Sequence, residues 1–409
     1  MNVDVRETNM AEAGGEAGTA DGRPVLAIIA NTQTPYRLHL HRRIAAEIPE
    51  LKLHSLYQWP VGHDEFTALE DSIGPVDLSD GTSPQAFPAR LRQDWATGGR
   101  IVQWLKPRRL GAVIVLGYSD ATRFRVLRWC LGRRIPTMVW GDSNILLDRA
   151  TGLRRFLKRR FLPRLLGRCD AWLPCGTLGR EYFLKYGAKP ERTFFFPNEP
   201  DYSKIRDLTP QQLADARQRF GLKEGRRRIV FSGRLVGLKQ VDQGIDAFSM
   251  IAAERPEWDF VIVGDGELRE PLEARVPPHL RDRVIFTGFI GDGAVIGAIY
   301  RSSDVLVLPS SYDAWALVVN EAAAAGMAIV TSHVVGASAE LVREGINGYT
   351  FPSGDVNAFA DRLRKVTDPA RIAGMKAASP VILDEWCRKA DPVRGLRQAL
   401  ASCGVLERA

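Results

Sequence analysis

Pro309-Ser310-Ser311-Tyr312-Asp313-Ala314-Trp315-Ala316-Leu317-Val318-Val319-Asn320-Glu321-Ala322-Ala323-Ala324-Ala325-Gly326 is the stretch around which the chain is organised. It follows an apolar run, Val305 to Leu308, that reads as a buried strand, and it ends in an alanine-rich segment that reads as a helix. Asp313 then lies in the loop ahead of that helix, with Glu321 about one turn inside it. At such a junction the first backbone N–H groups lack intrahelical partners and the dipole favours negative charge, so a phosphate can dock there. Two carboxylates framing an anion site suit hydroxyl groups on either side of a phosphate, as on a sugar and a ribose.

An acid, seven residues, then Glu followed by small residues and Gly resembles the E-x7-E signature of retaining glycosyltransferases, in particular glycosyltransferase family 4. The first acid here is Asp313 rather than Glu, and Ala314 and Ala316 stand where small residues or Gly are usual. The run Trp315 to Glu321 is closer still to the W-G-L-V-V-N-E form seen in part of that family.

The chain has 409 residues, 45% hydrophobic and 25% charged, enough for two domains with proper cores. No apolar run approaches the roughly 18 to 20 residues that span a bilayer. Residues 1–22 are rich in Gly, Ala and acids without a hydrophobic signal core, and are expected to be a disordered leader. Five scattered cysteines without metal-ligand spacing fit reduced thiols in a cytoplasmic protein.

The net charge of +8 is unevenly placed. Between Arg149 and Arg168 lie eight basic residues and no acid, interleaved with Leu153, Phe156, Leu157, Phe161, Leu162, Leu165 and Leu166. Such a stretch suits the anionic inner face of a membrane, with peripheral attachment. It equally suits a core-packed helix with a solvated basic face. No recognised nucleic-acid motif accompanies the charge, so nucleic acid is not expected as a partner.

The first half alternates apolar runs, at Val25 to Ala30, Val113 to Leu116, Thr137 to Trp140 and Ala171 to Pro174, with enough chain for helices. This pattern predicts an α/β, doubly wound, mostly parallel sheet whose ligands bind beyond the strands' carboxyl ends. The loops to watch are Asn31 to Arg37, Gly117 to Asp120 and Gly141 to Asn144. Family 4 enzymes usually bind the acceptor in this domain, which by resemblance assigns Tyr36 to stacking on a sugar and Arg37 to an acceptor phosphate. Tyr118 and Asp142 are further acceptor candidates on loop position alone. Local packing for the first pair, and a turn or cap role for Asp142, remain open beside these roles.

In the second half, the strand Ile229 to Ser232 is followed by Gly233-Arg234-Leu235-Val236-Gly237-Leu238-Lys239 and then a helical pattern. A cation beside a helix start works against the dipole, so Lys239 is better explained if an anion sits between them. The segment resembles the family's G-R-L-x-x-x-K motif, whose Arg and Lys hold the donor diphosphate. Phe260 to Val263 leads into Gly264-Asp265-Gly266, but position 269 is Arg, so the dinucleotide fingerprint is incomplete. The resemblance places Gly264, Gly266 and Gly288 beside the nucleotide base, and Gly233, Trp315, Ala316 and Leu317 with the donor. Gly345-Ile346-Asn347-Gly348 reads as a hairpin signal, and His333 as a residue able to line the cleft.

Together the resemblance implies a GT-B fold, two Rossmann-like domains facing across a cleft. The expected divisions are 23–200 for the acceptor domain, 201–383 for the nucleotide-sugar domain and 384–409 for a last helix returning to the first. The implied function is a retaining, nucleotide-sugar-dependent hexosyltransferase of cell-surface polysaccharide synthesis, acting on a saccharide or lipid-linked saccharide acceptor. Arg234, Lys239, Asp313 and Glu321 are the expected catalytic residues, with no metal and no cofactor beyond the donor itself. An inactive, membrane-associated partner of another transferase, or a nucleotide-sugar epimerase of the same fold, are the rival readings.

Overall fold

The computed structural model describes residues 22–59, 74–79, 86 and 88–407. The expected leader lies outside these but for Gly22. Two parallel six-stranded sheets carry the fold. The first comprises β1 (Val25–Ala30), β2 (Lys52–Tyr57), β3 (Pro75–Asp77), β4 (Leu110–Leu116), β5 (Thr137–Gly141) and β6 (Ala171–Pro174), in the order β3-β2-β1-β4-β5-β6. β1 reads Val-Leu-Ala-Ile-Ile-Ala and is buried throughout, as a strand with helices on both faces must be.

The second sheet comprises β7 (Arg227–Ser232), β8 (Trp258–Val263), β9 (Val284–Gly288), β10 (Val305–Leu308), β11 (Ala328–Ser332) and β12 (Gly348–Phe351), in the order β12-β11-β10-β7-β8-β9. In each sheet the strand order reverses beside the first strand, between β1 and β4 and between β7 and β10. Ligand crevices open at such switch points. Here they bring together the loops after β1 and β4, and those after β7 and β10.

The expected hairpin at Gly345 to Gly348 is corrected by the register. Ile329 pairs with Gly348 and Ser332 with Phe351 in parallel, so the turn joins the short helix Ser338–Leu341 to a parallel strand. Asn347 ties that turn down, its Nδ2 donating to the Leu341 carbonyl at 2.8 Å.

The expected division at 383/384 falls inside the helix Ile372–Lys389, whose Leu383 and Trp386 belong to the second core. The chain returns after it. Helix Pro392–Ser402, capped by Asp391, buries Val393, Leu396 and Leu400 beside Leu40 and Ile44 of the first domain. Arg43 links both crossings, with Nη1 2.5 Å from Glu199 Oε2 and Nη2 2.8 Å from Asp391 Oδ2.

Candidate active site

The loop after β10 runs from Pro309 into the helix Leu317–Ala324, and the loop after β7 carries Arg234 and Lys239. Because β7 and β10 are neighbours, the two loops meet. Lys239 Nζ lies 2.5 Å from Asp313 Oδ2, and both side chains are mostly shielded from solvent. Arg234 is exposed and forms no ion pair among the described residues. An unpaired guanidinium and an ammonium on one loop, facing the loop that leads into a helix N-terminus, form an arrangement that receives phosphate oxygens.

Ala316 caps this helix at φ 72°, in the left-handed region. Glycine takes that conformation without steric penalty, whereas an alanine incurs one.

Glu321 is enclosed one turn further on. Burial pushes its carboxyl up to about 7, and the hydroxyl of Tyr300 beside it offsets part of the rise. Tyr300 itself donates to Ser232 Oγ at 2.7 Å. Glu321 and Tyr300 line a cavity of about 560 Å³ between the domains, shared with Phe289, Lys204, His39 and Tyr36.

The glycines let the chain pack closely on itself. A Cβ on Gly264 would lie 2.0 Å from the Gly233 carbonyl oxygen, and one on Gly266 2.5 Å from that of Leu235. Gly288 stands beside them, its carbonyl accepting from the Gly264 N–H at 3.0 Å. These residues lace the loops after β7, β8 and β9 together, and so fix where Arg234 can reach.

Trp315 and Leu317 flank the helix start, but the indole of Trp315 is buried in the domain interface. Its ring centroid is 5.9 Å from that of Trp386, and a Cβ on Gly176 would meet it at 2.6 Å. His333 is exposed at the end of β11, with Nδ1 accepting from the Ser353 N–H at 3.2 Å.

Tyr36, Arg37, Tyr118 and Asp142, the four acceptor candidates, line one cavity of about 790 Å³ in the cleft. Asp142 is reached by solvent yet surrounded by protein atoms. That enclosure raises its carboxyl pKa, Arg37 opposes the rise and Asp313 across the cleft adds to it. Sequence reasoning missed Arg123, Lys158, Tyr182 and Tyr312, which line the same cavity. Arg123 contacts Asp120 and Asn31, and burial pulls its guanidinium down to about 10. Its place three residues after the helix cap Asp120 was the available signal. The hydroxyls of Tyr118 and Tyr182 touch, a contact between distant segments that no spacing announces.

Residues 214–371 match the family model described as glycosyl transferases group 1. Alpha-D-kanosaminyltransferase of Streptomyces kanamyceticus is 27% identical over 48% of this chain and 48% of its own length. UDP-Gal:alpha-D-GlcNAc-diphosphoundecaprenol alpha-1,3-galactosyltransferase of Escherichia coli is 29% identical over 44% of this chain and 46% of its own. The chain thus spans about half the length of these curated relatives.

Among solved structures, Anabaena HepE in complex with UDP and glucose superposes with a TM-score of 0.71, covering 94% of this chain and 100% of that one at 17% identity. WaaG, a glycosyltransferase involved in lipopolysaccharide biosynthesis, gives 0.66 over 92% and 99% at 16%. These likenesses define the architecture as the GT-B fold of glycosyltransferases. Arg234, Lys239, Asp313 and Glu321 all fall within residues 214–371, the part that is similar to the group 1 glycosyl transferases.

Proposed function

We propose that this chain is a retaining glycosyltransferase that moves a sugar from a nucleoside-diphosphate sugar to a saccharide or lipid-linked saccharide acceptor in cell-surface polysaccharide assembly. The observation that carries the reading is the Lys239–Asp313 contact at the switch point. It joins two sequence-distant segments at one helix N-terminus.

In this reading Arg234, Lys239 and the first turn of Leu317–Ala324 hold the donor diphosphate. Negative charge grows there as the glycosidic bond breaks, so preorganised cations and N–H dipoles stabilise the transition state more than the ground state. They supply the charge that a divalent metal supplies elsewhere. Asp313 accepts from donor-sugar hydroxyls and Glu321 from the ribose. The acceptor enters the cavity of Tyr36, Arg37, Tyr118 and Asp142. The matched E. coli relative acts on a diphosphoundecaprenol-linked sugar, which supports a lipid-linked acceptor here.

The test is turnover of UDP-, GDP- and ADP-linked sugars by the full chain, with water or added saccharides as acceptor. Release of nucleoside diphosphate, with the donor's anomeric configuration kept in the product by proton NMR, supports the reading. Binding of a nucleotide without turnover, even with lipid-linked acceptors, would replace it with the non-catalytic partner.

A further inference from the structure

Three helices of the first domain, Ala89–Leu105, Ala121–Gly132 and Gly152–Leu166, lie on one face of its sheet. They contribute to one core, through Ile101, Val102, Val126, Leu127, Leu162 and Leu166. Each follows a parallel strand and runs back against it, so all three N-terminal halves lie at the strands' carboxyl end, beside the cleft.

Large apolar side chains on these helices, all but one of them in the N-terminal halves, face solvent. Leu91 and Trp95 are exposed on the first helix and Phe124 on the second. On the third, Leu153, Phe156 and Phe161 are 72%, 63% and 61% exposed, and Leu157 is exposed beside them. The spacing of 153, 156, 157 and 161 puts them on one stripe. The opposite side of the same helix is already satisfied by Leu162 and Leu166 in the core. The core-packed alternative for this stretch therefore accounts for one face and leaves the other without a partner.

Charge identifies the occupant. Arg160 and Arg164 are exposed within the stripe, between its apolar side chains, and Arg92 and Arg128 are exposed on the other two helices. Arg160 and Arg164 form no ion pair among the described residues. Apolar side chains interleaved with unpaired guanidiniums match the boundary between acyl chains and anionic headgroups. Leu157 and Lys158 also line the acceptor cavity, and Leu91 and Arg90 a neighbouring one of about 420 Å³ with Trp59.

We infer that this three-helix face docks the protein on an anionic phospholipid bilayer, with the acceptor cavity opening at the headgroup level. The inference concerns a surface apart from the donor site, and its failure would leave the proposed transfer reaction standing.

The test is co-sedimentation of the full chain with vesicles of equal parts phosphatidylglycerol and phosphatidylcholine, and with phosphatidylcholine alone. Binding is expected only to the anionic vesicles, weakening as salt rises. Two double variants, Phe156→Ser with Phe161→Ser and Arg160→Gln with Arg164→Gln, are each expected to bind about tenfold or more weakly. All four residues are exposed, so thermal midpoint and nucleotide binding should stay unchanged. No sedimentation, equal sedimentation with neutral vesicles, or unaltered binding by the Phe pair would overturn the inference. So would a dimer in solution that the Phe pair converts to monomer without any lipid binding, since the stripe would then cover a second copy.

Discussion

Lys239 and Asp313, 74 positions apart in sequence, place Nζ and Oδ2 2.5 Å apart at the switch point of the second sheet. The contact holds the ammonium beside a helix N-terminus that would otherwise repel it. In the unliganded chain, Lys239→Ala should cost about 1 kcal/mol by leaving a shielded carboxylate unpaired. The double variant with Asp313→Ala should recover part of that cost in urea denaturation. Strictly additive losses would show that the pair is uncoupled.

Ala316 holds a left-handed conformation at φ 72°. Replacing it by glycine removes a penalty of about 1 kcal/mol, so Ala316→Gly should raise the thermal midpoint by about 1 °C. A lowered midpoint would mean that the alanine methyl makes contacts worth more than the strain.

The acid pair and its surroundings are largely legible in the sequence. The Val305–Leu308 strand, the alanine-rich helix and the Lys239 loop each leave a local mark in composition, and a parallel sheet then forces the loops together. Direction is not legible. Trp315 is named by its motif, yet only tertiary packing turns its indole into the domain interface. Gly264 and Gly266 signal close backbone approach, but the sequence does not say that the approaching group is the chain's own Gly233–Leu235 loop. β2 carries Lys52, His54 and Ser55, which break an apolar pattern, and so its sheet position emerges only from pairing with β1. The turn at Gly345–Gly348 looks like a hairpin because turn residues report a change of direction and not which strands then pair.

Glu321 titrates near neutrality, raised from 4.5 to about 7. A raised acid gives stability that is full below the unfolded value and is lost as pH rises through the folded one. Folding stability should therefore fall between pH 4.5 and 7, by on the order of 3 kcal/mol at most from this group. Glu321→Gln should remove that fall. Nucleotide affinity should move oppositely, rising with pH through about 7 as the carboxylate becomes able to accept from ribose hydroxyls. A profile unchanged by the variant would show that another group titrates.

Arg43 ties Glu199 to Asp391 where the chain crosses between the domains. Burial raises the carboxyl of Glu199, and Arg43 opposes the rise. Arg43→Ala should then destabilise the fold by about 3 kcal/mol, because an enclosed carboxylate is left, among the described residues, with only His39, 3.9 Å away. Adding Glu199→Gln should restore much of it. A loss under about 0.5 kcal/mol, as for an ordinary surface substitution, would contradict the linking role.

The most direct test of the account is nucleotide binding by calorimetry, comparing UDP, GDP and ADP on the full chain and on Arg234→Ala and Lys239→Ala. The account predicts that one nucleoside diphosphate binds, and that each variant weakens it about tenfold or more while remaining folded, since each removes a charge-assisted bond of about 1.5 to 3 kcal/mol. Folded protein that binds none of the three, or binding that neither variant disturbs, would contradict the donor site at its centre.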